Sequence, residues 1–123
     1  MKNSIPLIEI PAADFRRAVQ FYENVFKVQL TICDSCEEEK MAFFYDFTCQ
    51  PNISISWAPD FRPSNEGVLI HLTVEDMEAS LALIEKEGGK IVRPKTKIEA
   101  DNMGYFALFL DSEGNRLGLY SEK

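Results

Sequence analysis

The chain is poor in the residues that most often announce a chemistry. Its 123 residues include one histidine, three cysteines, and 13 lysines and arginines against 20 aspartates and glutamates. A net charge of -7 and a pI near 4.7 leave no basic stripe to offset phosphate, which argues against nucleic acid or an anionic membrane surface as a partner. No apolar run approaches the length of a membrane span, and Met1-Lys2-Asn3-Ser4 leads into a strand instead of a signal peptide. The expectation is a soluble cytoplasmic protein. Three cysteines cannot all pair within one chain, which suits reduced thiols better than a disulfide framework. Cys33-Asp34-Ser35-Cys36 has C-x-x-C spacing, but no second such pair and no histidine pair completes a zinc site. The segment also ends a strand rather than opening a helix that would lower a thiolate pKa.

What the chain does have is apolar material and an internal echo. At 46% hydrophobic and 11% aromatic residues it can bury the core of one domain. Displacing the sequence by 62 positions lays Asp14 on Asp76, Leu7 on Leu69, Val19 on Leu81 and Tyr22 on Ile84, then Phe44 on Phe106, Phe47 on Phe109 and Ile55 on Leu117. Two copies of one unit in tandem follow, each too small to bury its own apolar face. The expected class is α+β, with two βαβββ units forming a curved mixed sheet. The first unit spans about 5–57, the linker 58–66 and the second unit about 67–121.

Within the first unit, Ile5 to Ile10 alternates as a strand, Pro11 ends it, and Asp14 is placed to cap a helix. Phe15, Ala18, Val19, Tyr22, Val25 and Phe26 fall on one helical stripe. Strand patterns follow in VQLTI, MAFFYDF and ISISW, with a turn around Gln50-Pro51-Asn52. The second unit repeats this: Val68 to Val74 as a strand, a helix opened by Asp76 and stopped by Gly88-Gly89, and a short strand Lys90 to Val92. Pro94 to Met103 reads as a mobile loop at a pocket rim, and GYFALFLDSEGNRLGLY as a closing hairpin.

Alternation separates two faces. Ile8, Ile10, Ile70 and Leu72 suit a face covered by the helices, and Trp57 is expected in the core. The opposite face carries Leu7, Glu9, Leu69, His71 and Thr73, joined by Ser54, Ser56, Arg116 and Tyr120, with Gly118 between the last two. Glu9 and His71 occupy equivalent places in the two copies, so a pseudo-two-fold axis could bring them together across the sheet. The result is a mixed polar and apolar cup of the kind that binds small molecules. A histidine and a glutamate so placed also suit a hydrogen-bonded pair inside a filled barrel, with no catalytic duty.

The tandem pattern, the opening IEIPAADFRRAVQFYENVF and the finish GYFALFLDSEGNRLGLYS together resemble the glyoxalase, bleomycin-resistance and extradiol-dioxygenase superfamily, of vicinal-oxygen-chelate fold, from Ile5 to Ser121. The resemblance implies metal-ligand positions at Leu7, Ser56, Leu69 and Gly118, none of which carries a strong ligand here. A lactoylglutathione lyase or a dioxygenase is therefore disfavoured, and no cofactor is expected. A divalent metal at a shifted site, held by Glu9 and His71 with Tyr120 or water, is the remaining geometric option.

Three functions follow from the resemblance. One is a bleomycin-resistance-like protein that holds a small organic molecule in the cup. The alternative is a glyoxalase-like lyase or isomerase in which Glu9 is the general base and His71 or Arg116 stabilises an oxyanion. The third is an interaction module whose cup is simply filled. The resemblance also implies a homodimer that completes or borders the cup.

Overall fold

The computed structural model describes residues 5–35, 37–100 and 102–123. Met1-Lys2-Asn3-Ser4 and Cys36 of the C-x-x-C segment lie outside the described residues.

The elements run β1 (Leu7–Pro11), α1 (Phe15–Phe26), β2 (Thr31–Cys33), β3 (Lys40–Phe43), β4 (Asn52–Trp57), β5 (His71–Thr73), α2 (Met77–Lys86), β6 (Lys90–Lys97), β7 (Tyr105–Leu110) and β8 (Arg116–Ser121). Each unit forms its own four-stranded mixed sheet, ordered β1-β4-β3-β2 and β5-β8-β7-β6. In each, the first and last strands of the unit are parallel and the remaining pairs antiparallel. The expected βαβββ repeat is therefore present, but as two sheets not hydrogen-bonded to one another.

Both helices start as the sequence dictates. Asp14 accepts from the Arg17 amide and Asp76 from the Ala79 amide, each at 3.1 Å, which satisfies one orphan donor of each first turn. At the end of α2, Gly88 has φ +99°, and the amides of Gly88 and Gly89 bond back to the carbonyls of Glu85 and Ile84. That is the Schellman pattern, which favours glycine at this position. The buried stripe of α1 is Ala18, Val19, Phe21, Tyr22 and Val25, with Phe15 and Phe26 only half-buried. Phe21 is the residue the helical spacing left out. It is drawn in because α1 packs on the second unit as well as on its own sheet: its ring lies 6.5 Å from that of Phe109, centroid to centroid.

Three sequence expectations are corrected. Strand β6 runs through Pro94 to Lys97, over what reads as loop. It is an edge strand whose pairing with β7 shifts register twice, and an edge with irregular pairing tolerates a residue lacking an amide donor. Trp57 is half-buried at the end of β4, with the Lys40 ammonium 5.6 Å from its ring centroid.

The third concerns the repeat itself. The offset of 62 holds for β1, α1, β5 and α2, but Glu9 pairs with Ser54 whereas His71 pairs with Gly118. The bonds Ala12 N–H to Ser56 O and Val74 N–H to Tyr120 O agree. Gly118 thus matches Ser54, and Tyr120 matches Ser56. Ala42 then matches Ala107, and Ile55 matches Leu119, all four fully buried. The correspondence shifts because the two units differ in the length of the segments before and within their closing hairpins.

One continuous core joins the units. Beside it sits a polar clamp built from the β7–β8 turn. Asp111 accepts from the buried Tyr22 hydroxyl at 2.6 Å, and Asn115 donates to the Pro11 carbonyl at 2.7 Å. Glu113 accepts from the amides of Ala13 and Asp14 at 2.9 and 2.7 Å and pairs with Arg17 Nε at 2.7 Å. A carboxylate on two free amides at a helix start is electrostatically favoured. Because the clamp sits on α1, it fixes how the second unit lies against the first.

Candidate functional site

The residues expected to form one cup fall into two half-sites, one on each unit. On the first unit the parallel pairing of β1 with β4 sets Glu9 beside Ser54 and Ser56. Ser56 Oγ donates to Glu9 Oε1 at 2.9 Å, and Ser54 Oγ lies 2.9 Å from Ser56 Oγ. The two serines are buried, while Glu9 is exposed. This short relay orients one carboxylate towards solvent and leaves it free to accept from a ligand.

On the second unit, His71 lies across β8. A Cβ built on Gly118 would stand 2.3 Å from His71 Nδ1 and 2.5 Å from Cε1, so the imidazole rests on the bare backbone of Gly118. The ring is edge-on to Phe106 at 6.3 Å, and the Arg93 guanidinium covers the same Phe106 at 5.0 Å. Thr73 pairs with Tyr120, whose hydroxyl accepts from the Gly104 amide at 3.2 Å. Sequence reasoning missed Phe106 and Arg93. Phe106 alternates with Ala107 and Phe109 and so points away from the core. Arg93 was hidden by reading its neighbourhood as loop.

Glu9 and His71 do not meet. His71 and Thr73 line a cavity of about 710 Å³, bounded also by the end of α1, the β3–β4 connection and the start of α2. Glu9 lines a separate recess of about 260 Å³ together with Arg116 and Arg62. The expectation that the pseudo-two-fold axis brings Glu9 and His71 together within one chain is therefore corrected. The units pack through α1, α2 and the β7–β8 clamp, leaving the outer edges of β1 and β5 unpaired with each other. Leu7 on β1, and Val68 and Leu69 in the segment just before β5, are exposed apolar side chains, with Val68 88% exposed.

Electrostatic perturbation is concentrated in the clamp. Burial pushes the Asp111 carboxyl up, against the opposing pull of its hydrogen bonds from Tyr22 and Asn115. Burial, reinforced by the neighbouring Asp111 charge, holds the Tyr22 phenol well above its usual value. For Glu113, burial acts upward, but the Arg17 hydrogen bond, the Asp14 amide and Ser112 together hold it below the ordinary carboxylate range. These are the shifts of a structural network, since every member is paired within the fold.

The donor chemistry does not suit the metal of the enzymatic relatives that the sequence resembles. Leu7 and Leu69 offer no donor atom, and Gly118 is covered by the imidazole. Among the described residues no three His, Cys, Asp or Glu side chains are grouped so as to hold a metal ion.

Two mixed sheets in tandem βαβββ units, each with its polar face turned from the helices, define a glyoxalase-like architecture. Residues 4–119 match the sequence model of the Glyoxalase/Bleomycin resistance protein/Dioxygenase superfamily, and the chain belongs to that superfamily. A "Glyoxylase-like domain-containing protein" of Didymella fabae is 29% identical over 118 residues, covering 94% of this chain and 91% of the relative.

Solved structures share the fold at lower identity. A glyoxalase I mutant from Zea mays superposes with a TM-score of 0.75 at 18% identity, covering 94% of this chain. The chain spans only 46% of that protein's length. TnmS3, an antibiotic-binding protein from a Streptomyces species, gives 0.70 at 18% identity, covering 99% of this chain and 98% of its own. A superfamily member from Sphaerobacter thermophilus gives 0.72 at 17% identity, covering 99% of each chain. No helix among the described residues is long and apolar enough to cross a membrane.

Proposed function

We propose that this protein binds a small organic molecule, without the metal of its enzymatic relatives, in a cup assembled between two copies of the chain. The observation that carries the reading is the His71 ring lying on Gly118: the last-strand position where a metal-binding relative would present a carboxylate is bare backbone covered by an imidazole. Leucines at positions 7 and 69 support it, since apolar side chains there favour an organic ligand over a cation. An antibiotic-binding protein of the same fold supports it by analogy of architecture alone.

The dimer rests on the edges. Glu9 with its serine relay and His71 with Phe106 are half-sites in different cavities, and exposed Leu7, Val68 and Leu69 flank them. A second copy that buries those leucines sets the Glu9 half-site of one chain against the His71 half-site of its partner. Ligand in such a cup meets an acceptor from Glu9 on one wall and the His71–Phe106–Arg93 platform on the other. A lyase or isomerase using Glu9 as general base needs the same assembly, because one chain alone does not oppose the two groups. The test is intrinsic fluorescence titration of EDTA-treated protein with a panel of aromatic antibiotics, alongside sedimentation equilibrium. Saturable binding by a dimer without added metal supports the reading. Binding that requires a divalent metal, or a protein that stays monomeric while binding, refutes it.

A further inference from the structure

We propose that the recess of about 260 Å³ between β1, the linker and the start of β8, which holds the Glu9 half of the cup, takes a small organic carboxylate. Arg116 opens β8 and Arg62 comes from the segment joining the two units, and both line this one recess. The chain has 20 acidic side chains against 13 basic ones, yet neither guanidinium makes an ion pair or side-chain hydrogen bond among the described residues. Two arginines that line one recess and hold no carboxylate of their own among the described residues leave their guanidinium groups available to an anion. A guanidinium fork matches a carboxylate in plane and spacing, which makes arginine the residue suited to that group.

The remaining walls set the rest of the ligand. Ile10, Phe61, Ile70 and Leu117 give the recess apolar walls, suited to a compact hydrocarbon or aromatic body. The volume is below the range of drug-sized pockets, so the body is no larger than about one ring. Glu9 borders the recess but is not within ion-pairing distance of either arginine, so it does not neutralise them. It disfavours a second negative charge on the ligand, which selects a monocarboxylate over a dicarboxylate. The linker thereby gains a role beyond connection, since it supplies Arg62 and Phe61. This inference rests on the reading that the recess beside Glu9 is one half of a ligand-binding cup, and it names the ligand class for that half.

The test is amide NMR titration of the intact protein with phenylacetate, using phenylacetamide as the uncharged isostere. The expected result is saturable shifts at Ser64, Gly67, Arg116 and Leu117 with phenylacetate and none with phenylacetamide. Arg62→Ala and Arg116→Ala, both at exposed positions, should each weaken binding by roughly tenfold or more while leaving the spectrum elsewhere unchanged. Three results overturn it: no saturable shift, equal binding of the amide, or phenylacetate shifts at His71 and Phe106 with none at Arg116 and Leu117; antibiotic binding by a dimer, measured separately, stands or falls on its own.

Discussion

Gly118→Ala tests the contact on which the site reading turns. The added Cβ would stand 2.3 Å from His71 Nδ1, where ordinary contact begins at 3.4 Å, so the imidazole must retreat by about 1 Å or rotate away. Alanine in a strand interior is favoured over glycine by about 0.5–1 kcal/mol. Against this stands overpacking, which costs about 1–3 kcal/mol where neighbours cannot yield. His71 is exposed and can swing out, which places the cost towards the lower end and the net change near 0–2 kcal/mol of destabilisation. In a His71→Ala background the clash disappears and the same substitution should stabilise by about 0.5–1 kcal/mol. Urea unfolding of the four proteins in this double-mutant cycle should therefore give a coupling of about 1–3 kcal/mol. Additivity within about 0.5 kcal/mol would show that His71 does not rest on Gly118.

Other positions give equally direct tests. Tyr22→Phe removes the 2.6 Å bond to buried Asp111 and should cost about 1.5–3 kcal/mol in urea unfolding. Glu113, held below its ordinary value, contributes stability that is complete above the unfolded carboxylate pKa and is lost as pH falls through its folded pKa; Glu113→Gln should flatten that acid limb. Asp111 is raised, so its contribution is present below the unfolded pKa and lost as pH rises through its folded pKa; Asp111→Asn should remove that decline, read from the same pH series of unfolding curves. Gly104→Ala places a Cβ 2.0 Å from the Ser121 carbonyl oxygen, a backbone atom that cannot swing aside, and should lower the melting temperature severely, whereas Gly67→Ala meets no atom within 4 Å and should be near neutral. Val68→Asp should shift sedimentation towards monomer if the exposed strand edges form the dimer interface.

The helices were legible in the sequence because their information is local: Asp14 and Asp76 cap, a stripe at helical spacing packs inward, and Gly88-Gly89 ends α2. Strand β6 was not, because Pro94 and its charged neighbours mimic a loop, and only its place at a sheet edge permits the strand. The repeat was visible through Asp14 and Asp76, but its register drifted once segments of unequal length intervened, so Gly118 was matched to Ser56 instead of Ser54.

The half-sites show the same boundary. That Glu9 sits with Ser54 and Ser56 follows from alternation along neighbouring strands. Whether Glu9 meets His71 depends on how the units dock, and that is set by contacts far apart in the chain, such as Tyr22 with Asp111 and Arg17 with Glu113. No periodicity encodes such contacts.

The most direct test of a metal-free cup is thermal unfolding of EDTA-treated protein with nickel, zinc, manganese, iron(II) and cobalt in turn. A metal bound to the folded state at about 100 times its dissociation constant would add roughly 2.7 kcal/mol and raise the midpoint by several degrees. The account predicts no rise with any of them. A rise with one metal that disappears in His71→Ala would contradict it and make His71 a ligand.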